Sequence, residues 1–565
     1  MSPEPGSDRL DRYRARVFAE RAGLLAANTN LLAHQAEVLE NLLAHNADTV
    51  FGREHGFDSI RTLADFRKAV PIRDYRALEP WVERTAAGEP GVLSADDPVV
   101  YFTSSGSTGA HKKIPVTAEF MRSVFFPFFY AAWAPLAEHH PDVLARPDAV
   151  LNLKHDPLPV AGITRSGRPH LGASQVDFGA MFGEPLSAEP GSDASWSTLR
   201  FPVAPDDHLE KAYLRLRQAI VGDVRCVIGI NPAAVAALPY QLSLWWQRIV
   251  REIHDGTLGG HPFAAPDPGR AAELERLAAM FGTVRPAHVW PNMRAIFCWT
   301  SGLASLYLPR LREQFGADVQ LLPAPVAASE GPVGVTLDRH ATAGSLVSTA
   351  SVYEFVSADD ELDAGSATFE PHELEPGREY HVVFSHIGGL YRYAVGDVVH
   401  VVDVDGGVPR VEYAGRAGGA DVAGERLRES QVLRALRSAL STCGLEIRNA
   451  SCHPERGDGA KPGYEFALAP QQHWGTAEVA KLGTVLETAL CTEAPAYAAA
   501  RRSGGLRPLA VRVLDREAFA RDWHAEVGAG TRPAQVKDRL IRTDPANWRR
   551  LTESEPSPSG ETRHA

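Results

Sequence analysis

Short apolar runs alternate with amphipathic helical runs through the first half of the chain, and this alternation constrains the fold more than any other feature. The continuous apolar segments 224–230 and 295–299 are typical of buried strands. Residues 210–220 carry apolar side chains at helical spacing, and 233–253 is predicted to be a helix with a break near Pro239. Strands that alternate with helices of this length predict packed α/β layers.

The chain changes character after about residue 345. Short β-rich runs cover 346–355, 379–384 and 398–404, and Asp405-Gly-Gly407 is a hairpin signal. A Gly/Ala-rich run at 414–420 is the best candidate for a hinge.

A smaller region of mixed strands and helices follows that run, with predicted helices at 428–440 and 477–490. We therefore predict a large N-terminal α/β domain with a β-rich subdomain (1–415), a small mobile C-terminal α+β domain (416–550) and a disordered tail (551–565).

Composition excludes several classes of protein. The 565 residues carry a net charge of -12, which argues against a general binder of nucleic acid or anionic membranes. The five cysteines are scattered and form no C-x-x-C pair, so we expect reduced thiols rather than a disulfide framework or zinc ribbon. The polar N-terminus lacks the features of a secretory signal, and no apolar run is long enough to cross a bilayer. We expect a cytoplasmic protein that is a monomer or a weak homodimer.

A Ser/Gly-rich run that ends in paired lysines is the strongest hint of chemistry. Residues 101–115 place hydroxyls and unhindered backbone N–H groups just before Lys112 and Lys113, which is what a polyphosphate needs. No Ser or Thr follows the lysines, so this is not a Walker A loop. Taken alone, a surface loop between two elements is an equal alternative. The candidate phosphate-binding residues are Ser104, Ser105, Gly106, Ser107, Thr108 and Gly109.

Four further motifs follow in order. Ser329-Glu330 is a lone acid in a turn of small residues, and the run 389–397 ends in Asp397 after an aromatic pair. Gly415-Arg416 lies at the predicted hinge, and Lys537 lies in a basic segment near the C-terminus. Taken as isolated residues, they are better explained as a solvated acid, a turn former and surface charges than as functional groups.

Together these motifs resemble the GH3 family of acyl-acid amido synthetases, within the ANL superfamily of adenylate-forming enzymes. The family's T-S-S-G-T-[ST]-G…K loop is matched from Thr103 to the paired lysines, and its S-E motif by Ser329-Glu330. Its L-Y-R-Y-x-x-G-D motif is matched by 390–397, and its G-R…G-E-K-L-x-E segment by 415–416 and 424–429. The similarity spans roughly residues 48 to 545.

The resemblance implies a fold, two cofactors and a set of roles. It implies the architecture of adenylate-forming enzymes, with ATP and Mg²⁺ as cofactors and a carboxylic acid and an amine, typically an amino acid, as substrates. The Ser/Gly run and Ser329 would hold the nucleotide, Lys112 or Lys113 would neutralise the phosphates, and Glu330 would bind Mg²⁺. Asp397 would accept hydrogen bonds from the ribose and Arg416 would contact the ribose or phosphates. Lys537 would move in with the C-terminal domain and stabilise the reacting α-phosphate.

The sequence departs from the family pattern at three of these places, one of which is the Val-Lys-Asp-Arg context of Lys537, where the family usually has Lys-x-Pro-Arg. Val326 stands where the family usually has a Tyr that packs on adenine, and Tyr391 or Tyr393 could replace that contact. Arg426 replaces the usual lysine of the 424–429 segment, which keeps the charge and changes the donor geometry.

The substrate pocket is less defined by sequence. Trp299 and Thr300 could line an acyl pocket, although a buried core Trp is an equal alternative. We expect His155, His170 and His386 to be structural or surface residues, because none has metal-ligand spacing or a nucleophile partner.

Three functions remain open at the level of sequence. The first is an ATP-dependent amide synthetase that joins a carboxylic acid to an amine. The second is an adenylate-forming ligase with a thiol acceptor, such as coenzyme A or a carrier protein. The third is a degenerate nucleotide-binding protein without turnover, suggested by Val326.

Overall fold

The computed structural model describes residues 5–105, 111–154, 162–184, 186, 189–197, 203–338, 340–457 and 461–553. Within these residues the strands form five sheets, with helices packed against them, and the predicted α/β class is confirmed. No helix in the described part of the chain has the length and apolar character that a membrane span requires.

A four-stranded parallel sheet forms the centre of the first half of the chain. The predicted buried strands are confirmed as Cys226–Ile228 and Ala295–Cys298, which pair with each other in parallel. The outer strands are Val150–Asn152 and Gln320–Pro323. Because all four run in one direction, their carboxyl ends share one edge of the sheet, where ligands bind in open α/β sheets.

Long helices cover this parallel sheet. The helix Pro232–Asp255 starts with the Asn231 side chain accepting from the Ala233 N–H and ends at Gly256 in a left-handed conformation (φ 70°). The predicted break near Pro239 is wrong, because the helix continues through it and is held by buried side chains on both sides of the proline. The other long helices around the parallel sheet are His208–Ala219, Pro268–Phe281 and Leu308–Phe315.

A seven-stranded antiparallel sheet follows, in spatial order Val326–Ala328, Gly331–Val335, Gly344–Leu346, Val408–Arg416, Leu390–Asp405, Glu379–His386 and Val352–Ser357. The sheet is curled, as a hydrogen bond between two strands that are not neighbours shows. The Tyr353 hydroxyl of the last strand donates to Pro332 O of the second strand at 2.7 Å. The predicted hairpin at 405–407 is confirmed, with Gly406 and Gly407 both in the left-handed region (φ 58° and 88°).

The predicted strand 346–355 is divided in two. Gln35 from the N-terminal helices donates to the carbonyls of Ser348 and Ser351 at 2.7 and 2.9 Å and accepts from the Tyr353 N–H. These bonds hold residues 347–351 as a turn instead of a continuous strand, a long-range effect that local sequence does not contain.

The N-terminal part packs on both sheets. Its long helices are Pro5–Asn28, Leu31–Asn46 and Tyr75–Ala86, with shorter ones at Val50–Glu54, Leu63–Ala69, Phe126–Ala131 and Ala134–His139. Strands Val100–Ser105 and His111–Val116 form an antiparallel pair in which Ser104 is opposite Lys112. Residues 106–110, between these strands, lie outside the described residues, and so does His155. Strands Pro169–Leu171 and Gly162–Ile163 complete this sheet.

The C-terminal region is an α+β unit with its own core. Its sheet contains Ile447–Glu455, Gly463–Pro470 and Ala510–Val513, and its helices are Glu429–Cys443, Thr476–Glu493, Pro495–Arg502, Ala518–Gly528 and Pro545–Glu553. Residues 551–553 belong to the last helix, where Trp548 and Leu551 pack on Ala467 and Ala469, so the predicted tail begins too early. Residues 554–565 are outside the described part.

Candidate active site

Lys112, Tyr393 and Glu330 form a buried triangle of polar groups. The Lys112 ammonium donates to Glu330 Oε1 and to the Tyr393 hydroxyl, both at 3.1 Å, and the Tyr393 hydroxyl lies 3.3 Å from the same Oε1. Glu330 is only 2% exposed. It lies in the two-residue turn that joins strands Val326–Ala328 and Gly331–Val335, so the predicted lone acid is fixed at the end of a hairpin.

Asp397 and Arg416 form a second polar pair on neighbouring strands. They are directly opposite in the register, and Arg416 Nε lies 3.3 Å from Asp397 Oδ1. Burial raises the pKa of Asp397, and the positive charges of Arg416 and Lys537 oppose that rise. The Glu330 charge also acts on Asp397, so the two acids share one electrostatic environment.

Lys537 joins this group from the C-terminal region. Its ammonium lies 4.9 Å from the centre of the Trp299 ring, a cation–π distance. The Asn231 amide holds the segment by donating to Val536 O at 2.5 Å. Burial lowers the pKa of Lys537, and the charges of Asp397 and Glu330 oppose this.

The site therefore lies where four parts of the fold meet, and Lys112 comes from the N-terminal sheet, on strand His111–Val116. At the carboxyl edge of the parallel sheet, Trp299 directly follows the strand Ala295–Cys298, and Asn231 follows Cys226–Ile228 after Gly229 and Ile230. The acids Glu330 and Asp397 come from the curled antiparallel sheet, and Lys537 comes from the C-terminal unit. Two carboxylates facing three cations can hold an anionic ligand together with a cation, which is the requirement of a nucleotide site.

Several other predicted residues lie around this cleft. The Ser329 hydroxyl donates to Thr103 O at 3.3 Å, which joins the acid turn to the strand before the Ser/Gly run. Val326 is buried at the start of its strand, and Thr300 is buried with its hydroxyl on Ala341 O at 2.8 Å. Ser104 and Ser105 end the strand that faces Lys112. Gly106, Ser107, Thr108 and Gly109 lie outside the described residues.

Three predicted residues lie elsewhere. Lys113 points away from Lys112, because its ammonium pairs with Glu83 at 2.5 Å. The Arg426 side chain is exposed and lies 3.6 Å from Glu361, outside the cleft. Tyr391 is fully buried and stacks on Phe51 with ring centres 4.5 Å apart. A nucleotide therefore has no access to the Tyr391 ring in this structure.

A β-bulge explains why the two tyrosines separate. Strand alternation would put Tyr391 and Tyr393 on the same face. In the register Phe384 is opposite Tyr393 and His386 is opposite Leu390, so the partner strand has one residue where this strand has two. Arg392 takes a left-handed φ of 44° at this point, which turns Tyr393 towards the cleft.

Sequence reasoning missed the contributions of Tyr393 and His386 to the setting of Glu330. From the sequence, Tyr393 is expected only to replace the missing adenine contact, and His386 only to be a structural or surface residue. His386 is 1% exposed, and its Nε2 lies 2.9 Å from Glu330 O. His170 similarly lies with Nε2 3.1 Å from Lys112 O. Only the position of each histidine within a motif-bearing strand pair could have indicated these contacts.

Several known proteins are similar to this chain over most of its length. The rice (Oryza sativa subsp. japonica) protein named probable indole-3-acetic acid-amido synthetase GH3.12 is 26% identical over 89% of this chain and 90% of its own length. The Nicotiana attenuata jasmonoyl-L-amino acid synthetase JAR4 is 23% identical over the same shares. The solved structure of the acyl acid amido synthetase AtGH3.15 in complex with 2,4-DB superposes with a TM-score of 0.79 at 19% identity, covering 95% of this chain and 96% of that one.

Family profiles match the chain in three consecutive segments. The GH3 family N-terminal domain matches residues 22–320, the central domain 344–416 and the C-terminal domain 430–545. These matches cover most of the chain, in the order in which the parallel sheet, the curled sheet and the C-terminal unit occur. The chain therefore belongs to the GH3 family of amido synthetases and is an acid–amine ligase.

Proposed function

We propose that this protein activates a carboxylic acid with ATP and transfers the acyl group to an amino acid, forming an amide. The observation that carries the proposal is the convergence of Lys112, Glu330, Asp397, Arg416 and Lys537 in one cleft from distant parts of the chain. The names of the relatives, which specify an acid or an acid and an amino acid, support the substrate classes.

In the first half-reaction a carboxylate oxygen attacks the α-phosphorus of ATP, the bond to the bridging oxygen breaks, and pyrophosphate leaves. Two anions approach each other, so fixed cations and oriented N–H groups lower the barrier. Lys112 is placed to neutralise phosphate charge, next to the strand that leads into the Ser/Gly run. Residues 104–109 of that run supply phosphate donors in this proposal.

The chemistry of Glu330 fits a magnesium ion that is shared with phosphates. In the described part of the chain, no group of three or more His, Cys, Asp or Glu side chains is placed to hold a metal. Mg²⁺ in nucleotide sites commonly takes only one or two carboxylates and completes its shell with phosphate oxygens and water. Bound Mg²⁺ would neutralise phosphate charge, and Glu330 is the residue that would hold it.

Asp397 and Arg416 are suited to the ribose. A carboxylate accepts hydrogen bonds from two vicinal hydroxyls, and the charge of Arg416 opposes the rise in the pKa of Asp397 that burial causes. In the second half-reaction the amine attacks the acyl carbon, the C–O bond to phosphate breaks, AMP leaves, and the nitrogen loses a proton to solvent.

Lys537 and Trp299 define the acyl side of the cleft. A lysine supplied by the C-terminal unit can stabilise the α-phosphate in one half-reaction and withdraw for the other. Trp299 is half-buried beneath this lysine, with its ring N–H bonded to Pro325 O at 3.0 Å, so its ring can form one wall of the acid pocket together with Thr300.

A direct test is acid-dependent release of pyrophosphate from ATP, followed by mass spectrometry of the products with amino acids or with coenzyme A. We expect amide and AMP with an amino acid, and no thioester. Glu330→Gln should abolish release, whereas Glu446→Gln, at an exposed acid of the C-terminal unit, should not. Thioester formation, or release that persists in Glu330→Gln, would contradict the proposal.

We also infer a cytoplasmic protein that acts as a monomer or weak homodimer. All five cysteines are free thiols, which suits a reducing compartment.

A further inference from the structure

The imidazole of His386 connects the Glu330 turn to the hairpin that joins strands Glu379–His386 and Leu390–Asp405. His386 is the last residue of strand Glu379–His386 and is opposite Leu390 in the register. Its ring packs against Phe120, with ring centres 4.7 Å apart. A buried polar ring in these surroundings needs a partner for each nitrogen.

Both ring nitrogens of His386 have a hydrogen-bond partner. Nδ1 accepts from the Gly388 N–H at 3.1 Å, which places the ring hydrogen on Nε2. Nε2 therefore donates to Glu330 O at 2.9 Å. Burial lowers the pKa of His386 to about 4, so the ring stays neutral near pH 7. A Cβ at Gly388 would lie 3.0 Å from Phe120 Cβ and 3.1 Å from Nδ1, so a larger residue at this position would need these neighbours to shift.

The bond from His386 to Glu330 is not part of the sheet ladder. Along the sheet, four strands separate the Glu330 turn from the strand that carries His386. They are Gly331–Val335, Gly344–Leu346, Val408–Arg416 and Leu390–Asp405. The bond therefore closes the curl across its concave side. It also fixes the orientation of the Glu330 carbonyl, and with it the backbone ψ angle that sets the direction of the Glu330 side chain relative to Tyr393.

We propose that His386 is a positioning residue for the ligase reaction: its Nε2–H holds the main chain of Glu330 so that the carboxylate is presented to Lys112, Tyr393 and the magnesium-bound nucleotide. This inference rests on the proposed role of Glu330. The competing view is that His386 only stabilises its own hairpin through Gly388. Both views predict that removal of the ring is harmful, so the test must separate the two nitrogens.

Two amide substitutions make this separation. In His386→Gln the side-chain NH₂ reaches the position of Nε2 and can still donate to Glu330 O. In His386→Asn the side-chain oxygen is near the position of Nδ1 and can still accept from Gly388. His386→Leu keeps neither bond. His400→Gln is a matched control, because His400 is half-buried in the same sheet and pairs with Glu412 instead.

The measurement is equilibrium binding of ATP by calorimetry, with and without Mg²⁺ and without acid, so that no turnover occurs. The second readout is the Mg²⁺ concentration that gives half-maximal acid-dependent pyrophosphate release. Removing the partner that orients a metal ligand commonly weakens metal binding about 10-fold to 100-fold. We expect a loss of that size in His386→Leu and His386→Asn, with His386→Gln and His400→Gln close to the natural protein.

The outcomes are distinguishable. If His386→Asn binds Mg·ATP like the natural protein while His386→Gln behaves like His386→Leu, the hairpin role is correct and our inference is wrong. If Glu330→Gln removes the gain in ATP affinity that Mg²⁺ gives, but His386→Leu does not, the inference is wrong and the proposed function stands. If Glu330→Gln keeps the full gain, the proposed role of Glu330 fails, and the inference falls with it. Should His386→Leu fail to fold, the Gln and Asn variants still decide between the two nitrogens.

Discussion

Arg392, the arginine of the 389–397 motif, is predicted to be a stability residue rather than a ligand-binding one. It is 3% exposed and donates to Glu354 from Nε at 2.9 Å and from Nη2 at 3.0 Å. A third bond, from Nη1 to Val70 O at 2.8 Å, ties the N-terminal part to the curled sheet. Replacing Arg392 by Met would leave the Glu354 carboxylate, 1% exposed, without its bidentate partner.

The structure gives the size of the expected effect. Removing one partner of a buried ion pair typically costs about 3–5 kcal/mol. Glu354 keeps two other donors, Arg67 Nε at 2.9 Å and Thr368 Oγ1 at 2.6 Å, so we expect the lower end, about 3 kcal/mol. The double variant Arg392→Met/Glu354→Gln removes both charges and should recover about 2 kcal/mol of this loss.

The loss of folding stability in Arg392→Met should also depend on pH. Burial alone would raise the pKa of Glu354, but the hydrogen bonds and charge of Arg392, together with hydrogen bonds from Thr368 and Arg67, lower that pKa below its usual 4.5. A lowered pKa in the folded state contributes stability above the unfolded value, and that stability is lost as pH falls through the folded value. The difference in the free energy of unfolding between the natural protein and Arg392→Met should therefore be largest at pH 7 and become smaller below about pH 5.

Urea unfolding followed by tryptophan fluorescence at pH 7 and pH 4.5 would measure these differences. The reasoning would be refuted by a loss under about 1 kcal/mol for Arg392→Met at pH 7. It would also be refuted if the double variant were as unstable as the single one.

The remaining predictions concern the cleft. Lys537→Ala should slow acid-dependent pyrophosphate release by about 10²–10³ through loss of electrostatic stabilisation, and normal release would exclude this lysine from the first half-reaction. Asp397→Asn should raise the KM for ATP and have little further effect with 2′,3′-dideoxy-ATP; equal losses on both nucleotides would contradict a ribose role. Lys112→Met should raise the KM for ATP about tenfold or more, whereas Lys113→Met should not, because Lys113 pairs with Glu83; steady-state kinetics of both variants test this contrast.

Much of the fold could be predicted because it depends on local pattern. The apolar runs at 224–230 and 295–299 are confirmed as parallel strands, and Asp405-Gly-Gly407 forms its hairpin, since backbone preference and burial act over a few residues. The failures have long-range causes. Gln35 divides the predicted strand 346–355, and burial on both sides carries a helix through Pro239.

The order of the motifs in the sequence determined the family and the identities of the acids and lysines that meet in the cleft. The sequence did not determine which of two adjacent lysines enters the cleft, or that Tyr393 and His386 take part in holding Glu330. Lys112 and Lys113 point in opposite directions because they alternate along a strand. A bulge at Arg392 decides which tyrosine faces the cleft, and closure of a curled sheet brings His386 to Glu330. Residue types and their spacing are carried by the chain itself, whereas side-chain direction across a sheet depends on register and curvature, which only the packed tertiary structure fixes.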